Sequence, residues 1–189
     1  MSRRGRRSFK KKPVVMLAAA AIAAAAFIVS QYAKTPQRPG RADDPDAFDA
    51  VFVERVVDGD TLKLASGERV RLIGIDTPEM HESEKLYRDA RRSARDAETI
   101  KALGRRSYLF TKGLVEGRTV RLEFDVEKRD KYKRLLAYVY LPDGTFVNAE
   151  IIRQGYASVM TYPPNVRHAD EFLRLYRRAR DNKLGLWNE

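Results

Sequence analysis

Four carboxylates are spaced so that they could serve one cation. Asp58 and Asp60 flank Gly59 in the run Val57-Asp58-Gly59-Asp60-Thr61, and Asp76 and Glu79 bracket Thr77-Pro78 further along. A hard divalent ion such as Ca2+ takes carboxylate and carbonyl oxygens at about 2.3–2.6 Å. Each motif alone also has a structural meaning. Asp-Gly is a hairpin turn, and Thr77-Pro78-Glu79 could open a helix with Thr77 as its cap and Pro78 at its first position. Two arginines add to the pattern. Arg71 alternates with Val70 and Leu72 and so points away from them, and Arg134 ends the charged run Asp130-Lys131-Tyr132-Lys133-Arg134. Either could be solvated surface. As a pair they suit phosphodiester chemistry, because guanidinium groups donate paired hydrogen bonds to phosphate oxygens and stay charged at any ordinary pH.

Composition narrows the metal and the partner. The chain of 189 residues has no cysteine, which excludes disulfides and thiolate metal sites. His81 and His168 are its only histidines, so oxygen ligands are the better expectation; His81 reads as an exposed loop residue. The formal charge is +11, from 37 Lys+Arg against 26 Asp+Glu, which suits a polyanionic partner.

The N-terminus carries a different message. Residues 1–12 hold a basic cluster, and 13–30 are almost purely apolar and rich in alanine. We read 1–12 as a cytoplasmic n-region, 13–30 as a signal peptide or signal-anchor helix, 31–47 as a linker and 48–189 as the folded domain. Cleavage and retention of the apolar segment both stay open. The positive-inside rule sends the domain out of the cytoplasm, secreted, periplasmic or anchored to the membrane.

Several elements must position the charged residues. Segments 51–57, 61–64 and 69–75 alternate and are joined by Asp58-Gly59 and Ser66-Gly67 turns, which predicts a three-stranded meander. In a meander the start of the second strand and the end of the third share one end of the sheet, where the four carboxylates could meet. Helix is expected over 82–115 with a break near Gly104, then strands over 119–126 and 135–141. A hairpin turn follows at Pro142-Asp143-Gly144, leading into Thr145-Phe146-Val147. A short helix capped by Asn148 and ended by Gly155 comes next. A last helix over 170–183 shows Phe172, Leu173, Leu175, Tyr176 and Ala179 along one side, and Leu186 and Trp187 should dock on the core. Five short strands with appended helices imply a small closed barrel, mainly β in an α+β setting.

Three runs carry a closer likeness. Val57-Asp58-Gly59-Asp60-Thr61, Arg71-Leu72-Ile73-Gly74-Ile75-Asp76-Thr77-Pro78-Glu79 and Asp130-Lys131-Tyr132-Lys133-Arg134-Leu135-Leu136-Ala137-Tyr138-Val139-Tyr140 resemble the thermonuclease (staphylococcal nuclease) family, in its order and spacing. The segment from Val147 to Ala157 and the terminal Gly185-Leu186-Trp187 extend the likeness over essentially the whole of 48–189. The resemblance implies a five-stranded OB barrel. It implies Ca2+ held by Asp60, Asp76 and the Thr77 carbonyl, with Asp58 nearby. It gives Glu79 the role of general base, and Arg71 and Arg134 the phosphate. Lys131 and Tyr132 would contact the terminal phosphate of a nucleotide, and Tyr162 the base. The implied activity is hydrolysis of DNA and RNA with little sequence preference, leaving 3′-phosphate ends, by a monomer.

Three positions depart from the family pattern. Lys133 stands where glycine is usual. Met160-Thr161-Tyr162-Pro163-Pro164 offers one aromatic residue where two are expected. The segment 80–108 is longer and more charged, and reads as a helix beside the site. Two other readings stand beside the nuclease: a non-catalytic OB-type module binding nucleic acid or protein, and a membrane-tethered scaffold. The retention of charge at every acidic and arginine position favours catalysis.

Overall fold

The computed structural model describes residues 48–93 and 96–188. The expected export segment and linker lie outside them. Strands β1 (Val51–Asp58), β2 (Thr61–Leu64), β3 (Arg69–Leu72), β5 (Thr119–Glu123) and β6 (Leu135–Tyr140) close into a barrel in the order β1-β2-β3-β6-β5. This is the five-stranded OB-type barrel expected. All neighbours run antiparallel except β3 and β6, which are parallel. The alternation read in the sequence is the cause. Val70 and Leu72 of β3 and Val120 and Leu122 of β5 face inward and are buried, while Arg71 and Arg121 between them are half-buried on the other face. Each such side chain contributes about 1.5–3 kcal/mol when fully buried.

The third predicted strand is two strands. It breaks after Leu72, and β4 (Gly74–Asp76) leaves the barrel to pair with β7 (Ser158–Met160), a strand that alternation over three residues could not announce. Asp76 thereby sits opposite Ser158, whose hydroxyl donates to the Asp76 carbonyl at 3.1 Å.

The long helix also divides elsewhere than expected. Helix α1 (Glu84–Ser93) ends well before Gly104, and α2 (Ala97–Val115) runs straight through it. Asp96 caps α2 by accepting from the Thr99 amide at 2.8 Å. Gly104 is there for close approach. A Cβ on it would lie 2.6 Å from the backbone of Pro78 and Glu79. Ile100, Leu103, Ser107, Thr111 and Val115 form the buried stripe of α2.

Helix α3 (Val147–Arg153) contains Asn148 instead of being capped by it. The side chain is fully buried, accepts from the Val139 amide at 3.0 Å and donates to Ile73 O at 2.9 Å and Ala137 O at 3.3 Å. It ties β6 to the chain where β3 ends. Phe146 makes only an isolated bridge to Tyr140, so no strand forms over 145–147. In α4 (Ala169–Asp181) Phe172 and Ala179 are buried, but Leu173, one helical step round, is exposed. Leu186 docks as expected, its amide donating to Gly155 O at 2.9 Å.

Candidate active site at the barrel rim

The turn from β1 into β2 and the end of β4 meet. Gly59 lies so close to Thr77 that a Cβ would stand 2.7 Å from its hydroxyl oxygen. Thr111 of α2 donates to Gly59 O at 2.7 Å and fixes the turn from behind. Asp60 is therefore buried, and its Oδ2 accepts from the Thr77 amide at 3.1 Å and hydroxyl at 3.2 Å. Thr77 does not cap a helix; residues 77–83 are irregular. Asp58 Oδ1 accepts from the Asp60 amide at 3.1 Å.

Arg71 reaches this cluster from β3. Its guanidinium pairs with Asp60 Oδ2 and lies 3.3 Å from Asp76 Oδ1. Charge is distributed unevenly. Burial, with the neighbouring Asp60 charge, pushes the Asp58 carboxyl up to about 7. Burial opposes charge at Asp60 as well, but Arg71 and the hydrogen bonds to Asp60 outweigh it and hold that carboxyl below its ordinary value. At Asp76 burial prevails over Lys85 and Arg71, and the value is raised. Burial works against the Arg71 cation, yet Asp60, Asp76 and Asp58 raise its pKa further.

Lys85 was not singled out by spacing or motif. From the first turn of α1 its Nζ lies 3.0 Å from Asp76 Oδ1, 2.9 Å from Glu79 Oε1 and 3.2 Å from Thr77 O. Among the described residues no three Asp, Glu, His or Cys side chains form a ready-made metal cage. The expected donor set needs only two carboxylates and a main-chain carbonyl. Asp76 and Thr77 already present their oxygens to one cation, the Lys85 ammonium. The donor chemistry fits a hard divalent ion at that point.

Arg134 lies apart from this cluster. Its Nε pairs with Asp130 Oδ2 at 2.7 Å and its amide donates to Asp130 Oδ1 at 2.9 Å. Asp130, read from the sequence as part of a charged run, thus orients it. The parallel register sets Arg71 opposite Leu136. Extended back to position 134, it sets Arg134 beside Arg69, on the strand face that Arg71 uses. Among the described residues the two terminal nitrogens of Arg134 make no hydrogen bond. Arg134 borders an open groove of about 570 Å3 lined also by Tyr132, Lys133, Ser66 and Arg69. Lys131 and Arg134 both lie over the exposed Tyr132 ring, at 5.0 and 5.5 Å. Lys133 adopts a left-handed backbone, at φ 65°. Tyr162 is exposed on the loop after β7, and His81 is exposed.

A closed five-stranded barrel with a buried aspartate paired to an arginine at its rim defines an OB-type fold. Comparison with known proteins gives the family. The model of the staphylococcal nuclease homologue family matches residues 69–189. A thermonuclease of Staphylococcus intermedius is 35% identical over 142 residues, 74% of this chain and 76% of the relative. Endonuclease YncB of Bacillus subtilis is 31% identical over 167 residues, 85% of this chain and 72% of the relative. Uncharacterized protein MJ1439 of Methanocaldococcus jannaschii is 37% identical over 147 residues, 72% of this chain and 70% of the relative. The chain belongs to the staphylococcal nuclease homologue family.

Proposed function

We propose that this protein, a phosphodiester-cleaving hydrolase of the nuclease type, is a Ca2+-dependent nuclease. It acts on DNA and RNA with little sequence preference and leaves 3′-phosphate ends. The observation that carries the reading is the meeting of Asp60, Asp76, Thr77, Glu79 and Arg71 at one point of the rim. Asp60, Asp76 and the Thr77 carbonyl would hold the ion, which supplies positive charge at the phosphoryl oxygen when bound. Glu79 is the general base and takes a proton from the attacking water, a role worth about 10²–10⁴-fold in rate. Arg71 and Arg134 donate to the phosphate oxygens as negative charge grows on them. Lys131 and Tyr132 hold the neighbouring phosphate, and Tyr162 offers a ring to a base. Contacts of these kinds go to backbone and ring faces, which accounts for weak sequence preference. The export reading of 13–30 extends the proposal to work outside the cytoplasm.

Digestion of plasmid DNA and of RNA, with Ca2+ or with EGTA, tests the reading. End-group analysis should find 3′-phosphates. Activity that survives chelation, or full activity in Glu79→Gln, would overturn it. Nucleic-acid binding without cleavage at saturating Ca2+ would favour the non-catalytic module.

A further inference from the structure

We propose that Lys85 is a resident cation of the metal position and sets its affinity for Ca2+, because it must leave before the ion can bind. The proposal rests on the metal reading above.

Lys85 Nζ lies 3.0 Å from Asp76 Oδ1 and 3.2 Å from the Thr77 carbonyl oxygen, two of the three donors assigned to the ion. Its third contact, at 2.9 Å, is Glu79 Oε1, the oxygen of the proposed base. One pair of oxygens cannot serve an ammonium and a calcium ion together. Both would sit within about 4 Å of each other, where like charges repel strongly in a partly buried site.

The helix that carries Lys85 is anchored. Leu86, the next residue, is wholly buried, its amide is capped by Ser83 Oγ at 3.1 Å, and Lys101 of α2 holds Glu82 at 2.9 Å. The lysine stem itself is flexible, and its side chain is 27% exposed, so a route to solvent exists without moving α1. Exchange therefore needs only a side-chain swing.

Two consequences follow from the same contacts. Without metal, Lys85 offsets the mutual repulsion of Asp76 and Glu79. It also occupies the base, so that loading the ion and freeing Glu79 are one event. Arg71 cannot substitute, because it is committed to Asp60 and Asp76.

Calorimetric titration of CaCl2 into metal-free full chain tests this with four proteins: unaltered, Lys85→Gln, Lys85→Arg and Asp76→Asn. Lys85→Gln should bind Ca2+ about tenfold more tightly, Lys85→Arg should stay close to the unaltered chain, and Asp76→Asn should lose binding. Saturating Ca2+ should also raise the melting temperature more in Lys85→Gln, whose metal-free form lacks the internal cation. Affinity in Lys85→Gln equal to or weaker than in the unaltered chain, with binding still lost in Asp76→Asn, overturns the role of Lys85 and leaves the metal reading standing. No Ca2+ binding in any of the four overturns the metal reading, and the role of Lys85 with it. A measurement on the unaltered chain guards against a variant that fails to fold. Amine acetylation mapped by mass spectrometry should find Lys85 labelled faster with Ca2+ than without, and an unchanged rate overturns the proposal.

Discussion

Asp125 and two of the rim carboxylates, Asp58 and Asp76, answer burial in opposite ways. Asp125 is matched on both oxygens. Oδ2 accepts from Tyr138 Oη at 2.9 Å and from the Arg167 amide at 3.2 Å, and Oδ1 accepts from Val126 N at 3.1 Å. Burial opposes its charge, but these donors prevail and its pKa falls below the ordinary value. At the rim, Asp58, Asp60, Asp76 and Glu79 share two side-chain cations, Arg71 and Lys85. There Asp58 and Asp76 are pushed up and Asp60 is held down. A carboxylate with its own donors holds the fold together. A group of carboxylates with too few cations keeps unbalanced charge, and the fold carries the electrostatic cost.

That contrast can be broken by substitution. The largest effect is expected at the rim. Glu79→Gln should lower the rate constant for cleavage by about 10²–10⁴-fold, with urea denaturation showing no loss of stability. Asp125→Ala should do the reverse. It leaves the buried Tyr138 hydroxyl without its acceptor and should cost about 1–3 kcal/mol in the same denaturation, while cleavage per folded molecule is unchanged. A fall in rate with intact stability in Asp125→Ala would erase the distinction.

Acid sharpens it further. The pKa of Asp125 is lower in the folded chain than the ordinary 3.8. The stability it adds is therefore present above that unfolded value and is lost as pH falls through the folded one. The stability gap between the unaltered chain and Asp125→Asn should be full at neutral pH and should close on acidification below the ordinary carboxylate range. A gap that is constant with pH would show that the interaction does not depend on charge. The smallest effect is at the groove. Lys133→Gly removes a left-handed lysine and should stabilise the chain by about 0.5–1 kcal/mol, read as a shift in the urea midpoint.

Much of the barrel was legible because its strands have one wet face and one dry face, as in Arg69-Val70-Arg71-Leu72. The turn glycines and the Asp58-Gly59-Asp60 and Asp76-Thr77 clusters were legible for the same local reason. What escaped depends on tertiary contact. Gly104 looked like a helix break because glycine lowers helix propensity, but the need it meets is room for the Glu79 backbone. Asn148 looked like a cap because asparagine favours that position, but its amide is wanted by three backbone groups, two on β6 and one just past β3. Lys85 was one cation in a charged stretch, and no spacing rule distinguishes the lysine that reaches a site from those that face water. Asp130 was hidden likewise inside a run of charges.

The parallel pairing of β3 with β6 bears on when the protein can act. Arg71 lies in the first meander, but Arg134 precedes β6, which follows α1, α2 and β5 along the chain and pairs with β3. A partly synthesised chain thus holds one guanidinium of the pair and no closed barrel. On the proposed mechanism, a chain that ends before β6 has neither the second guanidinium nor a barrel, so cleavage awaits closure.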